Sequence, residues 1–139
     1  MTAPRRPLAL VTARLARDKD EDLPPLEAAL RARDVPVEVV DWHDRAVDWR
    51  RYGLALLRSP WDYTARLEEF LAWVTQAASA TRLANPPEVV RWNTDKRYLG
   101  ELASRGLATV PSQYVAPGDD AAHGLDEWLA RHDAAELVI

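Results

Sequence analysis

Three short apolar runs, each followed by a stretch of different periodicity, constrain the fold of this chain more than any other feature. Leu8-Ala9-Leu10-Val11-Thr12 is almost continuously apolar and is bounded by Pro7 and the charged stretch from Arg14 to Asp22. A run of that length without alternation suits a parallel strand covered on both faces. Val35 to Asp41 is β-branched and partly alternating, and Pro36 cannot donate to a ladder, which places this strand nearer a sheet edge. Gly53-Leu54-Ala55-Leu56-Leu57 is apolar throughout and reads as a central strand. Between the first two runs, acids at 18, 20, 21 and 22 lead into Pro24-Pro25 and a helix with Leu26, Ala29 and Leu30 on one face. Behind the third run, Leu67, Phe70, Leu71 and Val74 recur at helical spacing. Arg82-Leu83-Ala84-Asn85 is a fourth short strand, stopped by Pro86-Pro87. The order β-α-β-β-α-β predicts an α/β, Rossmann-like domain with a parallel sheet over residues 1–90, its crossovers right-handed.

Beyond Pro87 the pattern changes. Asn93 or Thr94 can cap a helix carrying Tyr98, Leu99, Leu102 and Ala103, and Gly106 sits where a left-handed C-terminal cap belongs. Thr109 to Val115 is expected to form a strand after a proline-marked turn. Ala121 to His132 should be a helix with Leu125, Trp128 and Leu129 inward, and Glu136 to Ile139 a last strand. An apolar strand at the final residues leads to the expectation that the chain is the front part of a longer protein.

Composition narrows the function classes. With 139 residues, 47% hydrophobic and 29% charged, the chain can hold one core, or a small domain plus the start of another. A net charge of -4 disfavours a nucleic-acid partner, whose phosphates call for a basic face. No window approaches the roughly 18 apolar residues of a membrane span. The absence of cysteine removes disulfides, thiolate nucleophiles and cysteine metal sites, and fits a cytoplasmic location. No Gly-x-Gly-x-x-Gly, phosphate-loop lysine or Gly-x-Ser-x-Gly is present. His43 lies beside Asp41 and Asp44, but His43, His123 and His132 lack the i,i+4 spacing of a helical metal pair. They read as solvated loop residues, so neither metal ligand nor catalytic residue is assigned within the chain. The Asp18 to Asp22 run reads as a hydrated helix entrance, and most of the six tryptophans as core or interdomain packing.

Open α/β sheets bind ligands at the carboxyl ends of their strands. That rule points to Thr12 to Arg17, Trp42-His43 and Arg58 to Tyr63 on one edge. Arg58 can clamp a carboxylate with two hydrogen bonds, Tyr63 can donate one, and Trp61 can wall a small apolar face. The candidate substrate residues are therefore Arg58, Ser59, Trp61, Asp62 and Tyr63, with Thr12 and Arg14 from the loop after the first strand. In the alternative reading Asp62 caps the following helix while Trp61 and Tyr63 only pack. An arginine directly after a buried strand needs a partner to offset its desolvation.

Three stretches taken together resemble a known family. Arg58-Ser59-Pro60-Trp61-Asp62-Tyr63, Asn85-Pro86, and Arg91-Trp92-Asn93-Thr94-Asp95-Lys96 with Gly106 and Val110-Pro111 downstream look like ATP-grasp ligases of the glutathione-synthetase type. The nearest likeness is to those that close the D-cycloserine ring, and it covers the whole chain. The resemblance implies a pre-ATP-grasp domain at residues 1–90, then a connecting helix and the first part of the ATP-grasp nucleotide-binding lobe at 91–139. It also implies an ATP- and Mg²⁺-dependent reaction. A small amino-acid-like carboxylate is activated as an acyl phosphate and captured by nitrogen, with O-ureido-D-serine as the specific case. Lys96 would then reach the ATP phosphates; its other reading is a solvated lysine in a first helical turn. The Mg²⁺ ligands, a second lysine and a glycine-rich loop are expected beyond residue 139, so the chain alone should be inactive. The competing reading is a stand-alone, non-catalytic, flavodoxin-like binding or interaction module. In that case the terminal strand is a sheet edge, and a homodimer or another partner covers the tryptophan-rich second half.

Overall fold

The structure, a computed structural model, describes residues 5–116 and 118–132. It divides into two compact units, residues 1–94 and 95–139. In the first unit, β1 (Leu8–Thr12), β2 (Val37–Asp41) and β3 (Leu54–Ser59) form a parallel sheet in the order β2-β1-β3. Leu10 lies opposite both Val39 and Leu56. The sheet has three strands where four were expected. Leu83 contributes one isolated parallel bridge to Ala55, through Ala55 N–H to Arg82 O at 2.8 Å and Ala84 N–H to Ala55 O at 2.9 Å. It extends no further because Pro86 and Pro87 carry no N–H, and Pro87 already starts a helix. β2 occupies an edge, as its proline implied.

The period-two alternation of the strands divides the core. Ala9, Val11, Ala55 and Leu57 share a cluster with Phe70, Trp73, Val74 and Ala77 of α2 (Leu67–Ala80). Leu8, Leu10, Val39 and Leu56 pack instead with Leu23, Leu26 and Leu30 of α1 (Leu23–Arg31). The two helices thus cover opposite faces of the sheet. Pro24 and Pro25 stand in the first turn of α1, where missing N–H groups break no helical bond.

The stretch from Trp42 to Tyr52, read as a loop, supplies core. Trp42, Trp49 and Tyr52 are buried, and a short 3-10 turn at Trp49–Arg51 is capped by Asp48, which accepts from Arg50 N–H. Trp42 meets Phe70 edge-on at 5.4 Å, and Trp49 meets Trp73 at 5.2 Å. Three of the six tryptophans form this cluster. Trp61 and Trp92 are exposed and Trp128 only half-buried, so the core accounts for three of the six.

Tyr52 donates to Glu38 Oε2 at 2.8 Å, and burial, followed by this bond, pushes its phenol from the usual 10.0 up to about 12. Because the folded value lies above the unfolded one, the bond's stabilisation is complete below about pH 10 and is lost as pH rises towards 12. Alkaline titration followed by tyrosinate absorbance should show a late-ionising phase near pH 12, and Tyr52→Phe should remove it. Four tyrosines ionising together would refute the assignment.

Around the boundary between the units two short helices stand where periodicity suggested one. α3 (Pro87–Thr94) buries Val90, and Thr94 Oγ1 donates back to Arg91 O at 2.8 Å. Asn93 and Thr94 therefore finish one helix and cap no other. In the second unit, Asp95 accepts from Arg97 N–H at 3.0 Å, and α4 (Tyr98–Ser104) follows. Gly106, with φ of 79°, ends it as expected, while Leu107 N–H reaches Leu102 O at 3.1 Å. Thr109 to Val115 forms no strand. Pro111 lacks a donor, Val110 and Val115 are exposed, and the segment is tied by side chains instead: Gln113 to Gly124 O at 3.1 Å and Tyr114 to Lys96 O at 2.8 Å. α5 (Ala121–Arg131) is capped by Asp120, with Leu125 and Trp128 half-buried and Leu129 exposed. The expected strand at 136–139 lies outside the described residues.

Candidate functional site

Since α1 and α2 leave the sheet on opposite faces, the loops after β1 and β3 part at the carboxyl ends of the strands. Open sheets take ligands at such a switch point. A cleft of about 470 Å³ lies there, lined by Arg14 and Leu15 after β1, Asp41, His43, Asp44 and Arg45 at and after β2, and Asp62 and Arg66 after β3. A second cavity, of about 540 Å³, runs by the edge strand between Arg14, Arg17, Glu38, Asp41 and Arg51.

Thr12 and Ser59 are fully buried and share a 2.9 Å hydroxyl bond. Around them, Trp42 N–H donates to Thr12 O at 3.0 Å and Ala13 N–H to Ser59 O at 3.0 Å. These two candidates stitch the three strand ends together. Asp41 then clips two loops, accepting from Arg14 N–H at 3.1 Å and from His43 N–H at 2.9 Å. The Arg14 guanidinium itself is exposed.

Asp62 accepts from the Trp42 indole N–H at 2.8 Å, with Arg66 at 3.5 Å on its other oxygen. The N-cap position of α2 is Arg66, so Asp62 anchors a core tryptophan and caps no α-helix. Tyr63 packs its ring at 5.3 Å from Phe70, and Trp61 is 50% exposed. Arg58 faces the α1 side, where its Nη2 donates to Asp20 Oδ1 at 2.7 Å and Asp22 Oδ2 at 3.0 Å. Asp20 is buried, so the acidic run is more than a hydrated helix entrance. Of the predicted substrate residues, Arg14 and Asp62 line the cleft, Thr12 and Ser59 brace the strand ends, and Arg58 is engaged internally. Lys96 belongs to the second unit and is exposed, its ammonium 5.8 Å from the Tyr98 ring centroid.

Asp41, Arg66 and Glu69 were not among the substrate candidates from sequence, and His43, which the strand-end rule placed on the ligand edge, was read as a solvated loop residue. His43 Nε2 lies 2.7 Å from Glu69 Oε1, and the other Glu69 oxygen accepts from Arg66 Nε at 2.9 Å and Nη2 at 2.7 Å. The Arg66 hydrogen bonds hold the Glu69 carboxyl below the usual carboxylate range, with His43 contributing less. Arg66 in turn lies over the Trp42 ring at 4.9 Å. Arg66 and Glu69, three apart, were a visible helical pair. His43 joins them only through the fold.

Among the described residues no group of three or more histidines and acids is placed to hold a metal ion, and no helix is long and apolar enough to cross a membrane. A family model for the N-terminal domain of D-cycloserine synthetase DcsG matches residues 8–85. The chain belongs to this family. The DcsG match runs from the start of β1 past the Leu83 bridge, so every residue lining the cleft falls within it. The cycloserine biosynthesis protein DcsG of Streptomyces lavendulae is 44% identical over 133 residues, which is 95% of this chain and 44% of that protein. The crystal structure of D-cycloserine synthetase DcsG superposes with a TM-score of 0.76 at 44% identity, over 89% of this chain and 42% of that one. The chain spans less than half the length of these DcsG relatives.

Proposed function

We propose that this chain is the N-terminal part of an ATP-dependent ligase of D-cycloserine biosynthesis, one that closes the ring of an O-ureido-D-serine-type precursor. What carries the reading is the match to the DcsG N-terminal domain over the segment that holds the whole cleft. The cleft's chemistry agrees. Its volume is that of a small-molecule pocket, and its walls mix arginines 14, 45 and 66 with aspartates 41, 44 and 62. Guanidinium groups suit the carboxylate of an amino acid, and carboxylates suit its ammonium.

Bound ATP would supply the phosphoryl group that converts the substrate carboxylate to an acyl phosphate. Lys96, exposed and without an ion pair among the described residues, fits a phosphate-reaching role as a mobile point charge. In this reading the Mg²⁺ ligands belong to sequence beyond residue 139. The chain's own contribution is part of the pocket that binds and orients the amino-acid-like substrate, and one phosphate-reaching lysine.

With Mg-ATP and O-ureido-D-serine, the full-length ligase is expected to release D-cycloserine with ADP, phosphate, ammonia and carbon dioxide, and the 139-residue chain alone to release no D-cycloserine. Lys96→Ala in the full-length protein should weaken ATP affinity or turnover about tenfold or more, the worth of a charge-assisted hydrogen bond. A full-length protein that makes no D-cycloserine overturns the reading, and unchanged kinetics in the variant remove Lys96 from it.

A further inference from the structure

Eight residues line the cleft, and they differ sharply in what they can do with a proton. Arginine stays protonated at all relevant pH, ionised carboxylates are weak bases, and Leu15 is apolar. His43 is the one imidazole among the lining residues, the side chain type that in its neutral form offers a nitrogen lone pair to a proton. Its tautomer follows from its neighbour. Glu69, held by two hydrogen bonds from Arg66, stays a carboxylate and can only accept, so the 2.7 Å contact requires a hydrogen on His43 Nε2. Neutral His43 then has its lone pair on Nδ1, the ring nitrogen left for a ligand.

The backbone that carries the ring is anchored. His43 follows Trp42, which is buried, tied through its indole to Asp62 and through its backbone to Thr12. The His43 N–H is held by Asp41, and the Trp42 ring meets the imidazole edge-on at 5.4 Å. Besides Glu69, which it contacts, the charged groups that line the cleft with it are Asp41, Asp44 and Arg45 on its own loop, Arg14 after β1, and Asp62 and Arg66 after β3. A carboxylate that orients one imidazole nitrogen and leaves the other basic is the arrangement by which side chains take protons from nucleophiles.

We propose that His43, oriented by Glu69, is the proton acceptor for the attacking nitrogen of the substrate; this rests on the cleft being the ligase's amino-acid pocket. As the nitrogen attacks the activated carbonyl, a C–N bond forms and the C–O bond to phosphate breaks. Phosphate leaves with that electron pair, and the nitrogen's proton passes to His43 Nδ1; the carbamoyl group still on that nitrogen is then removed by water as ammonia and carbon dioxide, which breaks its C–N bond and returns a hydrogen to the nitrogen of the new ring.

The test uses the full-length ligase and the 139-residue chain side by side. His43→Ala should lower kcat about 100-fold, the usual worth of a positioned base, with KM for ATP unchanged. Free imidazole should restore at least about tenfold of that loss, which a packing defect would not allow. In the chain, imidazole nitrogen NMR should show the Nε2–H tautomer, a mixed population in Glu69→Gln, and a shifted Nδ1 resonance on adding O-ureido-D-serine. A variant within threefold of wild type, or a loss that imidazole does not restore, overturns the proposal while leaving the ligase reading intact. Should the wild-type protein close no ring, the ligase reading falls, and an Nδ1 resonance unmoved by substrate overturns the role of His43 as well.

Discussion

Arg58→Met is expected to cost about 3 kcal/mol of folding stability, because it strands the Asp20 carboxylate in the interior. Asp20 has a side chain only 2% exposed, and its Oδ1 takes a 2.7 Å bond from Arg58. The other oxygen, Oδ2, has no partner among the described residues, so nothing nearby is placed to replace the guanidinium. A second change separates this account from simple loss of packing. Asp20→Asn in the Arg58→Met background replaces a buried charge with a neutral amide, and should recover more than half of the loss. Asp22, 86% exposed, can be changed to alanine at a cost below about 0.5 kcal/mol although it binds the same nitrogen. Urea denaturation of the four proteins checks all of this. Equal instability of the single and double variants would show that the stranded charge is not the cause.

The same pair shows how far the sequence could be read. That an arginine leaving a buried strand needs a partner was legible from Arg58 alone. Which partner was not, because Asp18, Asp20, Glu21 and Asp22 look alike in sequence and only the fold buries Asp20, 38 residues from Arg58. The parallel runs and the two covering helices were legible because period-two and period-3.6 patterns are local. Leu83 looked like a strand of the same kind, but its length depended on how many donors survive next to two prolines. Trp42, Trp49 and Tyr52 sat in a stretch with no period at all, so the aromatic core they build with α2 had no local signature. Thr109 to Val115 had strand composition, yet β-propensity needs a paired surface to act on, and that segment is held by Gln113 and Tyr114. The candidate site followed the same division: the strand-end rule located the cleft, while the His43–Glu69 contact joins two elements and required the fold.

Trp42→Ala should be the most damaging single change in the first unit, at about 3–5 kcal/mol, since it empties the centre of a packed aromatic cluster. Trp42→Phe is the more informative variant. It keeps an aromatic ring against Phe70 and Trp73 but removes the N–H that Asp62 Oδ1 accepts at 2.8 Å. Losing a hydrogen bond to a charged acceptor predicts about 1.5–3 kcal/mol, plus a smaller amount for the reduced volume. Asp62 would be left with only the 3.5 Å contact to Arg66, and Arg66 would lose the indole face beneath it. Both residues line the cleft, so if the cleft is the substrate pocket we propose, affinity for the amino-acid-like substrate should fall together with stability in Trp42→Phe. In a surface variant such as Asp22→Ala neither should move. Denaturation and calorimetric titration on the same preparations give the two numbers. A phenylalanine variant that loses stability but keeps full substrate affinity would mean that the cleft is positioned by the strand ends alone, through Thr12, Ser59 and Asp41. In that case the indole bond belongs to the core and not to the site.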